Sequence, residues 1–267
     1  MEEIMKSLFK YICALAFFVA ILVSHSVKAQ TIDDIIKKGT VQIAVDPTSA
    51  PFGVTGTDGQ PDGFDVDVAK LVAKYLGVKL ELVPVTSQNR IPYLLTNRVD
   101  MVISLFSVTP ERALQVSFSN PYAAVGTIIT AKIDKKISTF ADLKGMKVGV
   151  PRGTIPDTLL TKMALPDVQI VRFDDEATSL QALATGQVDA LGSSTTALIV
   201  LNRGKTQKEF ERKLTMVENH FGIGVRRGQT DLLQWLNTFV YSIRTNGELN
   251  AITEKWTGEK MGQLPNI

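Results

Sequence analysis

The sequence has few of the side chains that hold structural metals, and its charge is nearly balanced. Cys13 is its one cysteine and His25 and His220 are its two histidines, so a Cys/His cluster of the kind that binds zinc is excluded. The 29 basic residues almost match the 27 acidic ones, which leaves a net charge of +2 and no electrostatic footprint for nucleic acid. With 45% hydrophobic residues among 267, the chain can bury a large core. We therefore expect a globular protein without a metal, a cofactor or a nucleic-acid partner.

Residues 1–29 are typical of a secretory signal. Lysines precede an apolar run over residues 11–23, and Val27-Lys28-Ala29 is a small-x-small cleavage site. The run is shorter than the roughly 20 residues that span a bilayer. Cleavage before Gln30 would give an exported, periplasmic protein without cysteine, which excludes disulfides and a Cys/His nucleophile. An uncleaved membrane anchor and a start at Met5 remain open.

Short apolar strands alternate with amphipathic helices along the rest of the chain, a pattern typical of α/β folds. The first half predicts strands over residues 41–45, 78–83 and 101–103, with helices over 65–76, capped by Asp65, and 91–96. The second half predicts strands over residues 147–150, 168–173 and 190–192, with helices over 157–163 and 178–184. Because the order β-α-β-α-β occurs twice, we expect two lobes of one design.

The connections between the halves are predicted to be ordered strands, over residues 125–131 and 221–225. A returning strand implies that the tail packs on the first lobe. We therefore expect lobe 1 to comprise residues 30–126 and 222–267, and lobe 2 residues 127–221.

The tail has helical periodicity. It predicts a helix capped by Thr230 and a break at Gly247. Trp235 and Trp256 are predicted to be packing residues rather than ligand contacts.

Arg112 is a candidate for binding an anion. Thr109 as cap and Pro110 at the first helical position predict a helix start directly before it. A cation in the first turn of a helix is unfavourable unless an anion lies beside it. The sequence therefore favours a bound carboxylate here, with a solvated surface arginine as the alternative.

A second candidate follows the predicted strand that ends at Val150. Gly153 would permit close backbone approach and Thr154 offers a hydroxyl beside a helix start. The glycine-rich run and the Lys-Ser/Thr pair of a phosphate-binding loop are absent. A plain tight turn remains the alternative.

Short motifs occur in a fixed order over residues 31–267 and together resemble the polar amino acid family (family 3) of periplasmic solute-binding proteins. They are Gly63-Phe64-Asp65-Val66-Asp67, Asn89-Arg90-Ile91-Pro92, Val99-Asp100-Met101, Thr109-Pro110-Glu111-Arg112, Phe118-Ser119-Asn120-Pro121-Tyr122, Asp142-Leu143-Lys144-Gly145, Val148-Gly149-Val150 with Gly153-Thr154, Ala182-Leu183 with Gly186-Gln187-Val188-Asp189-Ala190, and Glu254-Lys255-Trp256. The resemblance implies a two-lobed periplasmic-binding-protein fold, type II-like, with two hinge strands and the ligand in the cleft between the lobes. It also implies a monomer that delivers a small ligand to a membrane ABC permease.

The resemblance also implies roles for single residues. Arg112 would clamp the ligand α-carboxylate, helped by Ser107 and Thr154. The family usually has an aspartate for the α-ammonium where this chain has Ser194. A serine offers a neutral hydrogen bond in place of a charge-assisted one, which is about twice as strong. An α-amino acid and a carboxylate without an ammonium group therefore both remain open.

Five further positions complete the predicted site. Asp46 begins the segment that ends at Phe52, and similar proteins use such an aspartate against a cationic side chain; a turn-capping role is the alternative. Arg90 lies in a segment shared with receptors for acidic amino acids, or forms a surface salt bridge. Ser104 begins the segment that contains Ser107. Glu176 belongs either to a solvated acidic loop or to the site, where it could replace the missing ammonium partner.

The leading interpretation is a transport receptor of an ABC importer. A periplasmic enzyme on the same scaffold, similar to a dehydratase of cyclohexadienyl substrates, is the alternative, with Glu176 as its acid or base. A ligand sensor with the same binding module is a third.

Overall fold

The computed structural model describes Met1, Met5 and residues 31–265. The predicted signal over residues 1–29 lies outside the described part apart from Met1 and Met5. No helix within that part is both long and apolar enough to cross a membrane.

Strands and helices alternate along the described residues. The strands are β1 (Thr40–Val45), β2 (Val54–Thr55), β3 (Pro61–Asp62), β4 (Lys79–Pro84), β5 (Met101–Val102), β6 (Val116–Phe118), β7 (Ala123–Lys132), β8 (Lys147–Pro151), β9 (Gln169–Phe173), β10 (Ala190–Ser194), β11 (Phe210–Phe221) and β12 (Gly224–Arg226). The helices are α1 (Ile32–Lys38), α2 (Phe64–Leu76), α3 (Arg90–Leu95), α4 (Pro110–Ala113), α5 (Ile155–Met163), α6 (Glu176–Ala184), α7 (Ala197–Leu201), α8 (Thr230–Thr245) and α9 (Glu248–Thr257).

Two five-stranded sheets organise these elements. The first has the order β4-β1-β5-β12-β6 and the second the order β11-β7-β10-β8-β9. In the first, β1 pairs in parallel with β4 and β5, and in the second β8 pairs in parallel with β9 and β10. We call the parts of the chain around these sheets the first and the second lobe. The predicted α/β fold with two lobes of one design is confirmed.

Two long strands connect the lobes. β7 leads from the first lobe into the second, and β11 pairs with it antiparallel from Lys132↔Phe210 to Ala123↔Phe221. The prediction of a return strand over residues 221–225 is wrong in its bounds. β11 ends at Phe221 because the next residues change sheets, and Ile223 is held by both the backbone and the hydroxyl of Ser119. The lobe boundaries given above stay a prediction.

The largest buried cluster lies under the first sheet, between β1, α2 and α8. Ile43, Val72 and Leu236 are among its fully buried side chains. Trp235 and Trp256 are partly buried against this cluster, which confirms that both are packing residues.

The start of α2 differs from the prediction. Gly63, not Asp65, is the residue before the helix, and Asp65 lies inside it with 2% of its surface exposed. Its carboxylate accepts hydrogen bonds from the Tyr122 hydroxyl at 2.9 Å and from the Leu105 backbone N–H at 3.0 Å. The carboxylate therefore holds a distant loop instead of capping its own helix. The predicted cap of α8 is different as well. This helix begins at Thr230 itself, and Gln229 is the residue before it.

Candidate ligand-binding site

A cavity lies between the lobes, and residues from both form its wall. Six of the predicted site residues line it: Arg90, Ser107, Arg112, Thr154, Glu176 and Ser194. Apolar wall residues come from both lobes and from the hinge strands: Leu105, Val125, Ile155, Pro156 and Phe221. The structure thus brings together residues that are more than 100 positions apart in the sequence.

Arg112 projects from the short helix α4 towards the second lobe. The hydroxyl of Thr109 accepts a hydrogen bond from the Arg112 backbone N–H at 3.3 Å, as expected of the cap. The guanidinium donates to the carbonyl oxygen of Ser107 at 2.9 Å and to that of Gly153, in the other lobe, at 3.0 Å. Burial, followed by the charge of Arg90, lowers the pKa of Arg112 to about 10. Arg112 is therefore a half-buried cation at neutral pH, not a solvated surface arginine.

Arg90 is the second cation of the wall. Only 4% of its surface is exposed, so the surface salt-bridge alternative is wrong. Its guanidinium donates to the hydroxyls of Ser87 at 2.6 Å and Ser104 at 3.3 Å and to the carbonyl oxygen of Leu105 at 3.4 Å. The nearest carboxylate oxygen of Asp46 is 3.9 Å away. Burial lowers the pKa of Arg90, and the charge of Asp46 opposes this shift.

Leu105 has an unusual backbone conformation at the wall. Its φ of 45° lies in the left-handed region that glycine favours. The carboxylate of Asp65 holds its N–H and the guanidinium of Arg90 holds its carbonyl oxygen. Burial raises the pKa of Asp65 to about 7, although hydrogen bonds from Tyr122 and Leu105 oppose the shift. Two buried ionisable groups therefore fix one strained residue of the site.

Glu176 contributes the carboxylate of the wall. It is the first residue of α6. Asp175 caps this helix, and the carboxylate of Asp175 accepts a hydrogen bond from the Thr178 N–H at 2.8 Å. Although the residue as a whole is half-buried, its Oε1 atom is buried and has no hydrogen-bond partner. Burial raises the pKa of Glu176 to about 8; the charge of Asp46 adds to the shift and that of Arg90 opposes it. The alternative of a solvated acidic loop is therefore wrong.

The remaining polar groups of the wall are neutral. Ser194 ends β10, and its hydroxyl is hydrogen-bonded to that of Thr196 at 2.7 Å. Thr154 precedes α5, and its hydroxyl donates to the carbonyl oxygen of Pro151 at 2.7 Å. In the part of the wall that the hinge strands form, Asn219 donates to the hydroxyl of Thr127.

Sequence reasoning missed several wall residues, among them the polar Ser87, Thr127, Ser193 and Asn219. No motif marks them, since each reaches the cavity only through the packing of separate segments.

Three predicted site residues do not line the cavity. Asp46 accepts hydrogen bonds from the backbone N–H of Thr48 at 3.0 Å and from its hydroxyl at 2.7 Å, which is the turn-capping alternative. Phe52 is 3% exposed and packs in the core of the first lobe. Ser104 is fully buried and accepts from Arg90. Asp46 and Ser104 therefore act on Arg90 from behind the wall rather than on a ligand.

The lobes touch each other at the mouth of the cavity. Gly153 has a φ of 75°, and a Cβ atom at this position would lie 3.1 Å from the Cα of Gln88 in the first lobe. Close by, Lys162 of α5 pairs with Glu111 of α4 at 3.0 Å. Together with the hydrogen bond between Arg112 and Gly153, these contacts describe a closed arrangement of the two lobes.

Comparisons with known proteins agree with this architecture. The model of the bacterial extracellular solute-binding proteins, family 3, matches residues 41–259. The L-cystine-binding protein TcyJ of Escherichia coli K12 is 30% identical over 246 residues, which is 90% of this chain and 92% of that protein.

Solved structures of amino-acid-binding proteins have the same fold. A solute receptor for L-cysteine from Neisseria gonorrhoeae superposes with a TM-score of 0.80 at 32% identity, over 85% of this chain and 94% of that chain. The ancestral amino acid-binding protein AncCDT-1, described as a precursor of cyclohexadienyl dehydratase, superposes with a TM-score of 0.78 at 34% identity, over 84% and 98% of the two chains. The family resemblance and the periplasmic-binding-protein fold are thereby confirmed.

Proposed function

Because the chain belongs to the bacterial extracellular solute-binding proteins of family 3, we propose that it is the substrate-binding component of an ABC importer. It binds a small polar amino acid, or a related carboxylate, in the cavity between its lobes. After export it presents this ligand to a membrane permease, and it acts as a monomer.

Arg112 is the observation that carries this proposal. Arg112 is half-buried, and the groups that its guanidinium contacts are the carbonyl oxygens of Ser107 and Gly153. Glu111 is the acidic residue whose charge acts on Arg112, but its carboxylate pairs with Lys162. A guanidinium has five N–H donors in a planar fork that matches a carboxylate. The cation therefore has donors left for an anionic ligand, whose charge would compensate its burial.

The position of Arg112 also couples binding to closure. It belongs to the first lobe, while Thr154 and Glu176 belong to the second. A ligand held by groups of both lobes binds the closed arrangement better than an open one, and it therefore shifts the population towards closure. This is the property that a transport receptor needs, because a permease can then distinguish the loaded from the empty protein.

Isothermal titration calorimetry tests the proposal. L-cystine, L-cysteine, L-glutamine and L-arginine are titrated into the wild type, Arg112→Ala and the control Arg98→Ala, whose exposed arginine lies outside the cavity wall. We expect at least one amino acid to bind the wild type. Arg112→Ala should weaken that binding by roughly 2–5 kcal/mol, since its loss leaves a buried carboxylate unpaired. Binding to Arg112→Ala within about threefold of the wild type would show that the carboxylate site is elsewhere.

The state of the Glu176 carboxyl group supports a second candidate function, that of an enzyme. A buried carboxyl group with a pKa near 8 is protonated at neutral pH and could act as a general acid. The similarity to a precursor of a cyclohexadienyl dehydratase makes dehydration the reaction to test. We propose that the protein binds without turnover. Product formation from prephenate that is lost in Glu176→Gln would contradict this.

A further inference from the structure

We propose that Glu176 receives the α-ammonium group of the ligand, so that the cavity selects zwitterionic amino acids over carboxylates that lack this group. The inference rests on the proposed function of the same cavity and names its ligand class. It assigns to α6 the charged partner that Ser194, a neutral hydroxyl at the end of β10, does not supply.

The charges of the wall lead to this assignment. Arg90 and Arg112 are its two cations, and Glu176 is the carboxylate among the described wall residues. Asp46 lies behind the wall, where Thr48 occupies one of its oxygens and Arg90 faces the other. A buried ammonium needs an anionic partner, because an unpaired charge in such a site is too costly. Glu176 is placed to supply that partner.

The state of the Glu176 carboxyl group is the second observation. Its Oε1 atom is buried and has no hydrogen-bond partner, whereas buried polar atoms in folded proteins nearly always have one. The cavity is the space that this residue lines. A ligand ammonium carries three N–H donors, one of which would go to this oxygen. The atom that lacks a partner is thus the kind of atom that an α-ammonium requires.

The assignment implies that binding releases a proton. Burial and the charges of Asp46 and Asp175 raise the pKa of Glu176 to about 8, while Arg90 opposes the shift; Arg112 is the other cation of the wall. At pH 7 the unliganded carboxyl group is therefore mostly protonated, and an arriving ammonium favours its ionised form. Affinity for amino acids should rise up to tenfold per pH unit below pH 8 and level off above it.

Matched ligand pairs and Glu176→Gln test the inference. L-Cysteine is compared with 3-mercaptopropionate, L-glutamine with glutaramate, and L-arginine with 5-guanidinopentanoate, by calorimetry at pH 7. Asp174→Asn is the control, because Asp174 is an acid two residues away whose side chain is 81% exposed. We expect Glu176→Gln to weaken the amino acids that bind by tenfold or more and their des-amino partners by less than threefold. Asp174→Asn should change neither class by more than about twofold.

Proton release gives a measurement that does not depend on any variant. Titrations of the wild type in phosphate and in Tris, which differ in ionisation enthalpy, should show nearly one proton released for each amino acid bound and none for a des-amino carboxylate.

Thermal unfolding checks that Glu176→Gln is folded.

Each other outcome overturns the inference. If Glu176→Gln weakens both classes equally, Glu176 shapes the cavity and is not an ammonium partner. If it weakens L-arginine alone, Glu176 binds a cationic side chain. Amino acids that bind the wild type without proton release and bind Glu176→Gln equally well would overturn this inference and leave the proposed function standing. If no probe of either class binds the wild type, the proposed function fails and this inference fails with it.

Discussion

The buried carboxylate of Asp65 accepts hydrogen bonds from the N–H of Leu105 and from the hydroxyl of Tyr122. Leu105 in turn forms part of the cavity wall with a φ of 45°. A carboxylate in α2, a helix of the first lobe, thus positions a residue of the binding site.

The raised pKa of Asp65 predicts a pH dependence of stability in the unliganded protein. Its pKa is about 7 in the folded state against an ordinary value of 3.8 for an exposed aspartate, so between these pH values the folded state binds more protons than the unfolded state. The free energy of unfolding should therefore fall as pH rises from about 4 to 7, by up to about 1.4 kcal/mol per pH unit from this group. Urea unfolding at pH 5 and pH 7 measures it.

Asp65→Asn should reduce this fall, although part of it persists because the pKa of Glu176 is raised as well. Asp67→Asn provides the contrast on the same helix. Hydrogen bonds from Lys255, Trp256 and Lys70 lower the pKa of Asp67 against the opposing effect of its burial. Asp67 therefore contributes stability that is lost as pH falls. Equal pH slopes in the wild type and Asp65→Asn would contradict the role given to Asp65.

At the scale of single elements, the turn between β8 and α5 controls how closely the lobes approach. Gly153 has a φ of 75°, and a Cβ atom there would lie 3.1 Å from the Cα of Gln88 across the cleft. We predict that Gly153→Ala weakens amino acid binding by roughly tenfold, about 1.4 kcal/mol, because the closed arrangement becomes strained. Calorimetry with the amino acid that binds the wild type measures the change.

Gly186→Ala is the matched control for this prediction. Gly186 has a φ of 77° and nothing within 4 Å of its ideal Cβ position. Both substitutions should therefore lower the free energy of unfolding by about 1 kcal/mol through the backbone alone, and only Gly153→Ala should affect binding. Similar affinities of the two variants would mean that Gly153 does not limit closure.

The elements that the sequence predicted are those with a regular pattern. β1, β4, β8 and β9 were found within one or two residues because their apolar positions are compact or alternate. The full length of β11 was missed, since two register shifts, at Arg212/Leu214 and Thr215/Val217, interrupt its alternation. α1 was missed as well, although the capping box of Thr31 and Asp34 was a readable signal.

The prediction of site residues depended on their position relative to helix starts rather than on a regular apolar pattern. Arg112 lies in the first turn of α4, Thr154 directly precedes α5 and Glu176 begins α6. Each therefore lies at a helix start, and its local sequence indicated the end of the sheet to which it belongs. Ser104 and Phe52 lie in the same short segments as predicted site residues and yet face away from the cavity. A linear motif does not specify on which side of a loop each side chain lies. The side on which each side chain lies depends on how the segment packs in the folded protein.

At the scale of the whole molecule, two lobes are connected by the paired strands β7 and β11. The polar contacts between the lobes at the cavity mouth include the hydrogen bond from Arg112 to Gly153 and the exposed ion pair of Lys162 with Glu111. An exposed ion pair contributes little. We therefore expect the ligand to stabilise the closed arrangement, and the unliganded protein to populate a more open one.

Small-angle X-ray scattering tests closure on the ligand most directly. The radius of gyration of the wild type is measured alone and with a saturating concentration of the amino acid that binds it most tightly by calorimetry. We predict that the radius decreases on binding and that the profile of the complex agrees with the closed arrangement of residues 31–265. An unchanged profile, with binding established by calorimetry in the same sample, would contradict a receptor that closes on its ligand.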